Sequence, residues 1–158
     1  MTITWCATGH RPDKLGGYDP RVQAKVEDFA AWYLRQHRPA LFVSGMAQGW
    51  DQACAQACVD LGIPWEAAVP FPGQESKWPR DSQERYRTLL SRATKVIEVS
   101  PRYSVKAMME RNKYMVRRAS GVIALWDGSL GGTCNCVQFA TALDVPIVNL
   151  WQWWETFA

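Results

Sequence analysis

Short apolar runs alternate with longer amphipathic stretches along the whole chain. The runs Thr2–Ala7, Ala40–Ser44, Ile63–Val69, Lys95–Val99, Gly121–Trp126 and Val145–Leu150 have the length and residue choice of short strands. Between the first two, apolar residues recur at Val22, Val26, Phe29, Ala30, Tyr33 and Leu34, which predicts a helix over Pro20–His37, stopped by Pro39. Trp50–Leu61 predicts a second helix, with Gly62 just past its end. Arg80–Arg92 reads as a polar amphipathic helix, and Ser104–Arg118 as another with Ser104 as its N-cap. Cys134–Leu143 completes the series, and the tail Trp151–Ala158 is aromatic.

Strict alternation of strand and helix over about six strands predicts an α/β domain with a mostly parallel sheet and helices on both faces. The chain of 158 residues suits one domain, 1–158, with its own core. Sheets of this kind bind ligands beyond the carboxyl ends of their strands. The chain is lopsided in a matching way. Glycines and reactive side chains gather in the loops that leave strands one, two, three and five, while the loops entering strands are as short as Gly62 or Asp144.

Composition narrows the class. Hydrophobic residues are 47% and charged residues 21%, as in globular domains. No apolar run approaches the roughly 20 residues of a membrane span. The start, Met-Thr-Ile-Thr-Trp-Cys, lacks the basic and apolar segments of a signal peptide, so a cytoplasmic location is expected. A net charge of +3 does not by itself argue for nucleic acid. The five cysteines are expected as small reduced core residues; without paired C-x-x-C spacing no metal site is expected. Nine tryptophans are many for this length. Trp151, Trp153 and Trp154 crowd the tail, which predicts apolar surface for a homo-oligomer, a dimer or higher, unless the tail folds over its own core.

The candidate chemistry centres on Trp126-Asp127-Gly128-Ser129-Leu130-Gly131-Gly132-Thr133. A strand, a glycine turn and a helix start aim free backbone N–H groups at an anion. Thr133 can cap the helix or bond a phosphate. His10 and Arg11 leave strand one, and a guanidinium fork suits phosphate or carboxylate. Ser44, Gly45 and Gly49 form a second tight turn, followed by Asp51, which either complements the helix dipole or accepts ribose hydroxyls. Lys77 and Trp78 follow strand three, as a phosphate cation and a base-stacking ring or as a plain surface loop. Arg111 and Asn112 lie mid-helix, where asparagine is a poor helix former.

Together the stretches T-G-H-R-P (8–12), S-G-x-x-x-G-x-D (44–51), Q-x-x-K-W (74–78), R-N-x-x-M (111–115) and G-G-T (131–133) resemble the SLOG superfamily, its YpsA-like branch most of all. The resemblance runs from strand one to strand six. It implies a Rossmann-like, doubly wound fold and a pocket for a nucleotide or nucleotide-derived ligand, such as a nucleoside phosphate, NAD or ADP-ribose. Gly9, Arg11, Ser44, Gly45, Gly49, Asp51, Arg111, Asn112, Gly131, Gly132 and Thr133 are its implied walls. His10, Lys77, Trp78, Asp127 and Gly128 join them from the reading of the loops. No resident cofactor is assigned.

Related LOG phosphoribohydrolases cleave the N-glycosidic bond of nucleoside monophosphates with a glutamate in G-G-x-G-T-x-x-E. The matching position here is Cys136. An oxocarbenium-like state wants a nearby carboxylate, so catalysis would fall to Asp51, Glu110 or Asp127. The third expectation is single-stranded DNA binding, since S-G-M-A-Q-G-W-D resembles a stretch of the DNA-processing protein DprA.

Overall fold

The computed structural model describes residues 3–157. Six strands form one sheet: β1 (Thr4–Gly9), β2 (Leu41–Ser44), β3 (Trp65–Val69), β4 (Lys95–Glu98), β5 (Gly121–Leu125) and β6 (Ile147–Asn149). All pairings are parallel, in the order β4-β3-β2-β1-β5-β6. The helices are α1 (Pro20–Gln36), α2 (Trp50–Leu61), α3 (Arg80–Leu90), α4 (Val105–Arg118), α5 (Gly132–Ala142) and α6 (Trp151–Thr156). The chain winds outward from β1 to β4, then returns to the other side of β1 as β5. The switch point of this α/β fold therefore lies between β1 and β5, where connections leave in opposite directions.

Side-chain alternation along each strand sorts the core into two layers. Ala7, Phe42, Trp65, Ala67, Val69, Ile123 and Leu125 face α1, α2 and α3, with Phe29, Leu34, Trp50 and Leu89 from the helices. Cys6, Val43, Ala68 and Val122 face α4 and α5, meeting Met115, Val116, Cys136 and Ala140. The caps follow the sequence. Ser104 Oγ accepts the Ala107 N–H at 2.9 Å, and Gly62 closes α2 in the left-handed region at φ 70°. All five cysteines are buried and free. Among the described residues no helix is long and apolar enough to cross a membrane.

Element bounds differ from the sequence reading in several places: β3 starts at Trp65 and not Ile63, β6 at Ile147 and not Val145, and α3 ends at Leu90 and not Arg92. The expected first strand began at Thr2, which lies outside the described residues. β1 also runs on through Gly9, which pairs with Leu125 instead of breaking the strand. Gly9 serves a close approach there, because a Cβ on it would fall 2.5 Å from Cδ1 of Trp50. α5 begins at Gly132, with Gly131 as N-cap, so Thr133 sits inside the first turn and does not cap it. The aromatic tail is itself a short helix on its own core. Trp154 and Phe157 pack edge-on to Phe29 at 5.5 and 5.0 Å, and Lys25 lies 4.9 Å over the Trp154 ring. Of the tail tryptophans only Trp153 stays substantially open, at 46%. The apolar area that suggested an oligomer is therefore covered from within the chain.

Candidate functional site

A cavity of about 410 Å³ opens over the carboxyl ends of β1 and β5. Its size falls within the roughly 300–1,000 Å³ of small-molecule sites. Every wall comes from a strand end or from the helix that follows one. The end of β1 gives Ala7, Thr8 and Gly9, and the loop after it His10, Arg11, Asp13 and Lys14; the loop after β2 and the start of α2 give Ala47 and Asp51. The turn after β5 gives Ser129, Leu130, Gly131, Gly132 and Thr133. α4 gives Met108, Arg111, Asn112 and Met115, at positions i, i+3, i+4 and i+7, which puts them on one helix face.

The turn after β5 is held before any guest arrives. Asp127 Oδ1 accepts the Ser129 N–H at 2.9 Å and the Ser129 hydroxyl at 2.5 Å. The Trp126 indole N–H donates to the Ser129 carbonyl at 2.8 Å. Lys14 Nζ donates to Ser129 Oγ at 2.5 Å, tying the loop after β1 to the turn after β5. The Ser129 bonds, reinforced by His10, hold the Asp127 carboxyl well below the usual carboxylate range. Gly131 takes φ 144°, and a Cβ on Gly131 or Gly132 would meet open space. The first amides of α5 thus lie in the cavity wall, with the positive end of the helix dipole behind them.

His10 meets Asp127 at one ring nitrogen. Nε2 lies 3.0 Å from the Asp127 backbone nitrogen and 2.8 Å from Oδ1. As acceptor it takes the N–H; carrying a proton it donates to the carboxylate.

Below lie two buried charges. Arg111, 5% exposed, donates from Nη1 to the Gly45 carbonyl at 2.5 Å and from Nε to Asn112 Oδ1 at 3.0 Å. Asp51, also 5% exposed, accepts the Ala47 N–H at 3.4 Å. Burial pushes its carboxyl up to about 6, although Arg111 and Arg11 pull the other way. Burial likewise lowers the Arg111 guanidinium from its ordinary value. Asp51 is therefore a carboxyl that can hold or release a proton near neutral pH.

The remaining sequence candidates divide. Ser44 is fully buried; its hydroxyl donates to the Asp51 carbonyl and accepts the Met46 N–H, which shapes the turn and leaves nothing for a guest. Gly45 and Gly49 stand clear of the cavity walls. A Cβ on Gly45 would fall 2.6 Å from Arg111 Nη1, and one on Gly49 2.5 Å from the His10 carbonyl. Gln74 also serves the frame, donating to the Gly45 carbonyl and to the Tyr86 hydroxyl. Gly128 and Asp127 stand behind the turn, not in its lining. Glu110 lies off the cavity on α4 and is 3.9 Å from Lys113. Cys136 is fully buried near Thr8, and burial pushes its thiol up to about 11, so it is neutral at pH 7. Lys77 and Trp78 line a second hollow of about 400 Å³ with Arg11, Tyr18, Gln48 and Pro79. Ser129 and Leu130 belong to the central stretch that the sequence marked; Asp13, Lys14, Ala47 and Met108 were given no role from sequence. The α4 stripe was findable, since Met108 completes the face already marked by Arg111, Asn112 and Met115.

A parallel sheet with its hollow at the switch point, walled by a glycine turn and a helix start, defines a Rossmann-like α/β domain. The chain belongs to the YspA SLOG family, whose model matches residues 5–142. It is 31% identical over 117 residues to the SPbeta prophage-derived protein YoqJ of Bacillus subtilis (strain 168), covering 63% of this chain and 68% of that one. UPF0398 protein ABC2016 of Shouchella clausii (strain KSM-K16) is 35% identical over 140 residues, 80% of this chain and 74% of the relative. Among solved structures, DprA of Streptococcus pneumoniae superposes with a TM-score of 0.64 at 15% identity, over 92% of this chain; the chain spans 49% of that protein. DNA processing protein A of Helicobacter pylori, described with a single-stranded DNA binding mode, gives 0.64 at 15% identity, over 92% of this chain and 64% of its own. TM1055 gives 0.59 at 13% identity, over 92% and 72%. At these identities the likeness to the solved structures is one of fold.

Proposed function

We propose that this chain binds a nucleotide or nucleotide-derived ligand, of the nucleoside phosphate, NAD or ADP-ribose type, as a sensor, sequestering protein or processing enzyme. One observation carries the reading: the first turn of α5, Arg11 and Lys14 line the same cavity as Asp51 and Asn112. The first group suits a phosphate, and the second offers acceptors and donors for ribose hydroxyls. Thermal shift and calorimetry with AMP, NAD, ADP-ribose and cyclic nucleotides test it. A ligand at 100 times its Kd adds about 2.7 kcal/mol, a rise of roughly 5–10 °C in Tm for this size. No shift with any of them rejects the reading.

Cleavage of an N-glycosidic bond is the second reading, favoured by Asp51 in the cavity wall with its carboxyl near 6. The position that carries glutamate in LOG enzymes holds the neutral, covered thiol of Cys136, so Asp51 would be the carboxylate. Chromatography for released base checks this. Turnover that survives Asp51→Asn rejects the assignment.

Single-strand binding of the DprA kind draws on the S-G-M-A-Q-G-W-D stretch and on the fold likeness. Ser44 and Trp50 of the resembling stretch are buried, and only Ala47 and Asp51 reach the cavity. An electrophoretic shift with an oligonucleotide at low salt, weakening steeply as salt rises, would favour it. Self-association stays a proposal on other ground: Val105 and Met109, four apart on α4, are both exposed. Sedimentation reads it, and a monomer at all concentrations ends it.

A further inference from the structure

Two hollows of similar size meet at one side chain. The first, at the switch point, is about 410 Å³; the second, beside Trp78, is about 400 Å³. Arg11 lines both. The loops between them split residue by residue. After β1, Asp13 and Lys14 turn to the first hollow and Tyr18 to the second; after β2, Ala47 turns to the first and Gln48 to the second. The boundary is therefore Arg11 together with the 47–48 peptide.

Their linings differ in chemistry. The first has helix amides, Lys14, Asp51 and Asn112. The second has two aromatic rings, Trp78 and Tyr18, with Lys77 and the Gln48 amide. Trp78 is anchored edge-on against the buried Tyr86, with centroids 5.3 Å apart, so its ring is held in place before anything stacks on it. Tyr18 is 60% exposed, a large ring with no cover of its own.

We infer that the two hollows form one bipartite site for a ligand of two nucleoside-sized halves joined by a pyrophosphate, with the anionic bridge against Arg11 and a base against Trp78. This deepens the nucleotide reading and rests on it. A mononucleotide fills one hollow. A diphosphate-bridged ligand fills both, and its second half binds without a further loss of translational freedom. A guanidinium between the halves meets a charge that a mononucleotide leaves at its end.

Calorimetry with AMP and with NAD, whose two halves each carry a base, on the wild type and on Trp78→Ala and Trp78→Phe, tests this. Base–aromatic stacking of roughly 1–3 kcal/mol corresponds to about 5–150-fold in affinity. NAD is expected to bind the wild type at least tenfold tighter than AMP. Its affinity is expected to fall at least fivefold in Trp78→Ala and less than threefold in Trp78→Phe. Circular dichroism on both variants separates lost stacking from lost folding. Should Trp78→Ala fail to fold, Lys77→Ala and Tyr18→Ala carry the same comparison, each weakening NAD. Equal affinities for AMP and NAD in the wild type, or an unchanged NAD affinity in a folded Trp78→Ala, overturn the bipartite site while leaving the nucleotide reading intact. Binding of neither overturns both. A short oligonucleotide that binds tighter than NAD, and loses affinity in Trp78→Ala, overturns the inference in favour of single-stranded nucleic acid.

Discussion

Asp51 and Arg111 lie buried along the same cavity wall, yet the guanidinium spends its close hydrogen bonds on the Gly45 carbonyl and Asn112. Arg111 therefore moderates the Asp51 carboxyl without neutralising it, and burial wins, setting it at about 6. The sign of the stability effect follows. The folded state holds this proton more tightly than the unfolded chain, whose value is near 3.8. The contribution is thus fully present below about pH 3.8 and is lost as pH rises through 6. Asp51→Asn, which can keep the Ala47 contact, removes that loss. Urea titrations should find the variant near wild type at pH 4 and more stable at pH 8, by on the order of 2–3 kcal/mol at 1.36 kcal/mol per pKa unit. Equal stability at pH 8 would mean that Asp51 is ionised in the fold at little cost.

Gly49 and Gly128 share a positive φ and differ in surroundings. Their φ values are 92° and 93°. A Cβ at Gly128 meets open space, whereas one at Gly49 lands 2.5 Å from the His10 carbonyl, which itself accepts the Trp50 N–H. Alanine at Gly128 is expected to cost about 1–2 kcal/mol from backbone strain alone. At Gly49 the same strain is joined by a backbone collision, for more than about 3 kcal/mol in all. Thermal melts of the two variants separate conformation from contact. Similar losses would show that the loops after β1 and β2 yield easily.

Glycines also explain what the sequence left hidden. Alternation of short apolar runs with amphipathic stretches made the six strands and their parallel pairing readable, because a buried strand and a crossover helix each demand their own period. That Arg11, Asp51, Arg111, Asn112 and Gly131–Thr133 line one cavity was readable for a related reason: all belong to loops or helices that follow strand ends. Gly9, Gly45 and Gly49 look the same in sequence as Gly131, yet they make room for Trp50, Arg111 and the His10 carbonyl. Composition does not reveal which neighbour a missing Cβ serves. Lys14 was hidden because it reaches the site through Ser129, 115 residues away. The tail left two readings open, because apolar residues signal burial without saying whose surface buries them. Here it is Phe29.

Away from the cavity, Glu66 on β3 is 7% exposed and is gripped by Arg118 from the end of α4, with bonds of 2.8 and 2.7 Å. The Arg118 bonds hold its carboxyl below the ordinary range. Its stabilising contribution is present above the unfolded value near 4.5 and is lost as pH falls through the folded value. Arg118→Met leaves the carboxylate without its fork. At pH 7 the loss should be about 1–3 kcal/mol, shrinking as pH falls from 4.5 through the lowered folded value and Glu66 takes a proton. Urea titrations at pH 7 and pH 3.5 check both halves. A loss that does not change with pH would assign the effect to packing of the Arg118 stem.

The thiols give a last, independent reading of the site. Cys6, Cys54, Cys58 and Cys136 have their thiols pushed up by burial, and Cys134, in the first turn of α5, is only 5% exposed. Alkylation needs a thiolate and a path to it. At pH 8 the native chain should therefore take up iodoacetamide on no cysteine over an hour, and on all five in guanidinium, as counted by intact mass. The first adduct on warming should fall on Cys134, because it stands at the helix start beside the cavity-lining Thr133 and reacts by local opening of that turn. A ligand seated on the α5 amides should slow this step and leave Cys54 and Cys58, within α2, unchanged. Rapid native labelling of Cys136 would contradict the picture at its base, since that sulfur would then be open to solvent beside Thr8 and able to take part in chemistry.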